Sequence, residues 1–453
     1  MGPRIPRFGL LIGVLKSTWT RTQRVTTSLL DQALVVGATF LANVFLARYG
    51  TKEEYGLFVL SYTIYTLLAG IHNALIIEPF SVLASGEYKK AQSEYLRYTI
   101  LLHIRLCLII AILLLTAFSI GNLAGYNINL AFLGLSLAIT FIFSGAFIRR
   151  VYYANEQVSQ ALSLSLTYFF LMLVSLLSIQ LFNQITGFFA YIAMATAWVI
   201  CISIHYYNNI HKIIKTTSNT RTSEWIEHKK YSKWTLPTAF VFQLTNQGYY
   251  WIIIALLTSH NLAEFRAIHN IILPIDLFIV SLSLLYLPRM AKSYAINDNN
   301  TYRRLIMKFL TSVLILGISF AIFITIFGTT IIDMLYDGKY KTTLSIIIPL
   351  CLAPIAMGLG QPFNNALKAA KKPHLVFASY IIAGTCTFLI GIPLISSIGL
   401  TGASIGMLIS ASAFSVSLFI FYKFYINSNC DPVLVASPPS SRTQANGENH
   451  ATF

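Results

Sequence analysis

The sequence predicts an all-α polytopic membrane protein with about twelve transmembrane helices, arranged as two six-helix bundles around a central cavity. Three observations lead there. The chain is 56% hydrophobic and 11% charged, and its apolar residues gather into about twelve stretches of roughly membrane-spanning length. The 32 Lys and Arg are unevenly placed: if the first span enters from the cytoplasm, 26 fall in alternate segments on that side and 5 on the other, with Arg105 inside a span. That is a positive-inside pattern with both termini cytoplasmic. The halves also echo one another. The stretch Ala47 to Tyr55 is repeated in pattern by Leu257 to Phe265, and Tyr153-Ala154-Asn155-Glu156 by Lys368-Ala369-Ala370-Lys371, at offsets of 210 and 215. Two bundles of six enter from the same side, as parallel repeats do, with a site expected between them.

In order along the chain, residues 1–27 read as a cytoplasmic leader. Its arginines and the apolar run Phe8 to Leu15 imitate a signal peptide, but Lys16, Thr18 and Arg21 follow without a small-residue cleavage pattern. The first bundle, 28–206, has spans at 28–47, 56–78, 98–119, 130–149, 161–181 and 186–206. A polar, basic linker covers 207–234. The second bundle, 235–425, has spans at 235–257, 267–287, 306–328, 344–365, 374–396 and 402–424. Residues 426–453 contain little apolar content and are predicted to be a disordered cytoplasmic tail.

Charges in a bilayer are costly, at least about 2.5–3.5 kcal/mol near its centre, so they normally face protein or water. Asp31 and Glu78 are expected within a turn of a span end, where snorkelling costs little. Arg105 lies part-way into the third span and reads either as a snorkelling or ion-paired arginine or as a ligand contact. His103 reads as a satisfied core histidine. Asp276, two residues after Pro274, is expected near the bilayer midplane, as an internal ion-pair partner, a proton- or cation-coupling group, or an acceptor for sugar hydroxyls.

Gln243, Asn246 and Gln247 share one helical face, and Tyr249 and Tyr250 continue its polar-aromatic character. Gln361, Asn364 and Asn365 form a similar face, and Asn43, His72 and Asn73 add amide and imidazole groups. Such residues bond helices together, and they also suit a sugar-binding cavity, with amides for hydroxyls and rings for apolar sugar faces. Pro237, Pro274, Pro349, Pro354, Pro362 and Pro393 all lie in second-half spans, against Pro79 in the first. Proline bends helices, so the second half is expected to shape the cavity or to move.

Several classes are excluded. The net charge of +16 is scattered over many segments, so it forms no nucleic-acid groove. Cys107, Cys201, Cys351 and Cys386 fall in apolar spans without ligand-like spacing, so no metal, cofactor or disulfide is implied. No connection is long enough for a folded catalytic domain, and only 16 acidic residues are present, so the chain does not read as an enzyme.

The segment Asp31 to Gly50, followed by Glu53-Glu54-Tyr55-Gly56-Leu57-Phe58 and Asn73 to Pro79, resembles the opening of polysaccharide-transport (Wzx-like) flippases. These belong to the multidrug/oligosaccharidyl-lipid/polysaccharide exporter (MOP) superfamily, which also contains the MATE drug antiporters. The resemblance implies alternating access by two six-helix bundles in a bacterial inner membrane. It implies a lipid-pyrophosphate-linked oligosaccharide as substrate, moved from inner to outer leaflet for O-antigen, capsule or exopolysaccharide assembly. Membrane lipids, glycosyltransferases, a polysaccharide polymerase and a coupling proton or sodium ion are the partners it suggests. Family cavities are cationic, which nominates Arg149 and Arg105, then Arg150, for the pyrophosphate. Arg48 and Arg266 are expected at the outer edge. Gln243, Asn246, Gln247, Tyr250 and Asn364 would meet the glycan and Asp276 the coupling ion. The alternative, a cation-coupled small-molecule or drug exporter, would need several cavity acids, and Asp276 is one.

Overall fold

The computed structural model describes residues 7–85, 92–125, 129–206, 222–340, 344–370 and 372–429, and all regular structure among them is helical. The first half comprises α1 (Arg7–Tyr49), α2 (Lys52–His72), a π-helical turn (Asn73–Ile77) leading into α3 (Glu78–Ser85), α4 (Gln92–Leu123), α5 (Leu130–Ala154), α6 (Val158–Leu181) and α7 (Gly187–His205). The second half comprises α8 (Thr222–Leu256), α9 (Ser259–Asn270), α10 (Leu273–Ala295), α11 (Asn299–Tyr336), α12 (Leu344–Ala369), α13 (Pro373–Leu389) and α14 (Gly391–Asn429). Of the expected linker, 207–221 lies outside the described residues, and from Thr222 the chain is already helical. Residues 430–453 of the expected tail, and 1–6 of the leader, also lie outside them.

Ten helical stretches among the described residues are long and apolar enough to cross a bilayer, so the chain is a multi-pass membrane protein. Two expected spans differ. Residues 235–257 lie in α8, whose lysines and amides dilute its apolar content. Residues 374–396 begin as the shorter apolar helix His374–Leu389 and continue into α14. There the backbone leaves the helix at Ile398 and Gly399, with Gly399 at φ 62, a conformation glycine adopts without a Cβ penalty. That turn separates the last two spans where the sequence places the gap. The eighth span is also shifted. A break at Ile271 and Ile272 separates polar α9 from α10, and Pro274 sits in the first turn of α10, where its missing N–H costs no helical bond.

The echo between halves has a local cause. Thr51 caps α2 by accepting from the Glu54 N–H, and Thr258 caps α9 by accepting from the Asn261 N–H. The structurally equivalent pair is therefore Thr51 and Thr258, three residues out of register with the sequence alignment. Within the first half α5 packs on α7 and α1 on α6; within the second, α12 packs on α14, and α13 on α14. The α5–α7 contact depends on a glycine. A Cβ at Gly145 would stand 2.2 Å from the Trp198 ring, which itself stacks on Tyr168 with centroids 4.1 Å apart. Gly145→Ala is expected to destabilise the protein by about 1–3 kcal/mol through overpacking, read as a lower melting temperature in detergent. An unchanged melting temperature would show that Trp198 can yield.

The halves meet along α2, which packs against α8 and α9. At the end of the bundle where α1 finishes, the seam is tight. Gly56 approaches Ser259 so closely that a Cβ would lie 2.0 Å from its carbonyl oxygen. Lys339 Nζ donates to the carbonyls of Ala47 (2.9 Å) and Gly50, and Tyr340 OH donates to Ala47 O at 3.3 Å. Asn270 Nδ2 donates to Tyr55 OH at 3.0 Å. At the opposite end α8 holds the π turn: Thr235 Oγ1 donates to Ala74 O at 2.8 Å and His228 Nε2 to Leu75 O at 2.7 Å. A π turn leaves its carbonyls poorly matched within the helix, and the second half supplies the donors.

Candidate substrate-binding site

Between α8, α10, α12, α13 and α14 lies a cavity of about 630 Å³, within the size range of ligand pockets, reached from the first half by Tyr62 and Thr66 of α2. Its wall gathers Gln243, Asn246, Gln247, Tyr250, Asp276 and Asn364, so six sequence-nominated residues from three helices meet on one surface. The helical face of α8 explains the first four, since residues three, four and seven apart align along one side. Asn364 is buried, and its Nδ2 donates to Gln361 Oε1 at 2.9 Å. Gln247 Oε1 and Asn364 Oδ1 are buried acceptors with no protein partner. Such groups carry a desolvation cost of about 1–3 kcal/mol each until a donor arrives. Asp276 occupies the first turn of α10, half-buried at the cavity edge.

The three basic residues of the cavity wall, Arg266, His269 and Lys368, were not nominated for substrate. Arg266 was expected at the outer edge, but it is 8% exposed. Its guanidinium carbon stands 5.4 Å from the ring centroids of both Tyr62 in the first half and Tyr250 in the second. Its Nη1 donates to Tyr250 OH at 3.0 Å, and that hydroxyl also bonds His269 Nδ1 at 3.0 Å. Its Nε is buried and unpartnered, and no carboxylate pairs with it among the described residues. A buried cation balanced by aromatic faces and one hydroxyl keeps its charge uncompensated at the cavity wall. The signal was present in the sequence: a helix started from the Thr258 cap carries Arg266 two turns inward, whereas a span begun at residue 267 leaves it outside. Lys368 opens into the cavity near the end of α12, where it was counted as a loop cation.

The nominated arginines stand elsewhere. Arg149 makes a two-pronged ion pair with Asp31, Nη2 to Oδ2 at 2.6 Å and Nε to Oδ1 at 3.3 Å. Asp31 is fully buried and also accepts from Tyr153 OH at 2.7 Å and from Ser165 Oγ. That carboxylate neutralises Arg149 inside the first bundle. Arg150 is half-buried within the electrostatic reach of Glu78 and Asp31. Arg105 is exposed on the face of α4 that also exposes Leu101, Ile104, Leu108, Ile109 and Ile112, which places it towards lipid. None of the three lines the cavity.

Known proteins of similar structure fix the fold. An inward-facing multidrug-resistance MATE transporter of the MOP superfamily superposes with a TM-score of 0.71 at 13% identity, over 88% of this chain and 95% of that one. An outward-facing MATE transporter gives 0.66 at 11% identity, over 90% and 95%. The Vibrio cholerae MATE transporter VcmN gives 0.67 at 14% identity, over 90% and 96%. This is the fold of the MATE transporters. Two sequence matches accompany the structural ones. The family model described as lipid II flippase MurJ matches residues 267–424. The capsular polysaccharide biosynthesis protein CapF of Staphylococcus aureus is 23% identical over 412 residues, 85% of this chain and 94% of that protein. The resemblance to Wzx-like flippases read between Asp31 and Pro79 is thus accompanied by a match over residues 267–424 and another over most of the chain.

Proposed function

We propose that this MOP-fold protein is a flippase for a lipid-pyrophosphate-linked oligosaccharide, serving surface polysaccharide assembly, and that it is a transporter without a catalytic step. The observation that carries this reading is the cavity's chemistry. A buried uncompensated arginine, a lysine, two unpartnered amide oxygens and several tyrosines are what an anionic, hydroxyl-rich headgroup requires. The lipid II flippase and capsular polysaccharide matches support the same substrate class. The drug-exporter alternative draws on the MATE likeness, which speaks for the fold alone, and the cavity offers it the single carboxylate Asp276.

In this reading both termini face the cytoplasm of a bacterial cell and the tight seam at Gly56 and Lys339 closes the outer side. The bundles alternate access, with Asp276 as the coupling group for a proton or sodium ion. Reconstitution tests these points together. Liposomes containing the purified protein and a fluorescent polyprenyl-diphosphate oligosaccharide should show protein-dependent exchange between leaflets and no efflux of a cationic dye. Dye efflux without glycolipid exchange would replace the flippase reading by the drug-exporter one. Asp276→Asn should leave exchange insensitive to imposed proton and sodium gradients at unchanged protein abundance; retained gradient dependence removes Asp276 from coupling.

A further inference from the structure

The first bundle contains a cluster that the cavity does not use. His72 at the end of α2, and His103 and Cys107 one turn apart on α4, are 1%, 4% and 0% exposed. One donor atom of each, within 4.8 Å of the other two, could share a metal ion. His72 Nε2 stands 2.9 Å from His103 Nδ1, and Cys107 Sγ 3.5 Å from the same nitrogen. With metal–nitrogen bonds near 2.0–2.1 Å and metal–sulfur bonds near 2.3 Å, donors around one ion lie about 3.3–3.8 Å apart. The two histidine nitrogens would part by a few tenths of an ångström to admit one, and the Cys107 sulfur would swing from beside the His103 ring to the ion.

The surroundings prepare the donors. Ser144 Oγ donates to Thr140 O at 2.7 Å, so towards His103 Nε2, 3.1 Å away, it can only accept. His103 therefore carries its proton on Nε2, and its Nδ1 lone pair accepts from His72 Nε2, while Cys107 Sγ lies beside the ring, 3.5 Å from Nδ1 and 3.8 Å from Nε2. A hydrogen bond that fixes the tautomer of a ligating histidine is the usual outer support of a metal site. The rings are also held in place: His72 stacks on Phe143 with centroids 4.5 Å apart, and His103 on Phe147 at 4.9 Å. The π turn begins at Asn73, immediately after His72, and such turns recur at functional sites.

We infer that His72, His103 and Cys107 form a binding site for a soft monovalent metal ion, copper(I). The choice follows from donor type, number and charge. Thiolate with imidazole suits copper and zinc, and three donors satisfy copper(I), whereas zinc takes a fourth. Two neutral imidazoles and one thiolate carry a single negative charge, which a monovalent ion cancels. A divalent ion would leave a net charge in a bundle interior where charge is costly. On binding, the ion replaces the Cys107 thiol proton, which leaves to solvent, and breaks the His72–His103 hydrogen bond as His72 moves its proton to Nδ1. No electron is transferred.

The test uses the purified full-length protein in detergent under anaerobic, reducing conditions, with copper(I) supplied from a coloured chelator complex. Stoichiometric withdrawal of copper from the chelator is expected, with X-ray absorption showing two nitrogens and one sulfur around the metal. Cys107→Ala should abolish withdrawal, whereas Cys201→Ala, at another buried cysteine of the same half, should not. Ser144→Ala, which touches no metal, should weaken binding about 10–100-fold. Both cysteine substitutions are small, and their melting temperatures establish that they fold. Copper(I) binding that survives Cys107→Ala overturns the site, and tighter retention of zinc(II) than of copper(I) overturns the assignment of the ion.

Discussion

Arg266→Gln is expected to reduce glycolipid exchange at least about tenfold while the protein remains folded and abundant. The two effects separate because Arg266 has no carboxylate partner to leave stranded. Truncating half of a buried ion pair costs about 3–5 kcal/mol, but removing an uncompensated buried charge relieves a desolvation cost instead. What is lost is the stacking on Tyr62 and Tyr250, about 0.5–2 kcal/mol in such settings, and the Nη1 hydrogen bond to Tyr250 OH, about 1.5–3 kcal/mol, and the relieved desolvation offsets both. The net change in stability should therefore be small and the loss of transport large. Arg266→Lys should recover only part of the activity, because an ammonium has neither the planar fork for phosphate nor the flat face for the tyrosines. Exchange at the wild-type rate in Arg266→Gln liposomes would remove Arg266 from substrate binding.

Asp31→Ala should have the opposite signature, with folded protein lost first. Asp31 is buried and accepts from Arg149, Tyr153 and Ser165. Its removal leaves the Arg149 guanidinium uncompensated inside the first bundle, at a cost of about 3–5 kcal/mol. A second substitution, Arg149→Met, should restore much of that stability, because replacing both partners by apolar groups is often neutral. The double variant also decides what Arg149 does. Restored abundance with wild-type exchange makes Arg149 structural. Restored abundance without exchange returns it to the substrate path, as the sequence suggested.

The helical pattern was readable because each span carries its own signal, in length, hydropathy and flanking charge. The breaks were harder. Ile271 and Ile272 interrupt the chain between His269-Asn270 and Pro274, and only the proline is a breaker by type. In the cavity, the α8 face was legible from spacing alone, since Gln243, Asn246, Gln247 and Tyr250 sit on one helix at helical intervals. The arginines were not, because whether a cation is free or neutralised depends on a partner far along the chain. Arg149 and Asp31 are 118 residues apart, and nothing local shows that they touch. Arg266 was hidden by a boundary one residue wide. His72 and His103 each look like an ordinary core histidine, and their meeting depends on how α2 packs beside α4.

The closed seam at Gly56 and Lys339 has a consequence for turnover. Its four cross-half hydrogen bonds are each worth about 0.5–1.5 kcal/mol net, so breaking them without replacement raises the opened conformation by about 2–6 kcal/mol. On that margin an empty carrier visits the opened state roughly once in 30 to once in 2 × 10⁴ conformational samplings. In the proposed cycle a bound headgroup must favour the opened state by a comparable margin. The carrier therefore idles shut without cargo, which limits leakage of ions and solutes across the membrane, and its rate with cargo follows how much better that cargo fits the rarer shape.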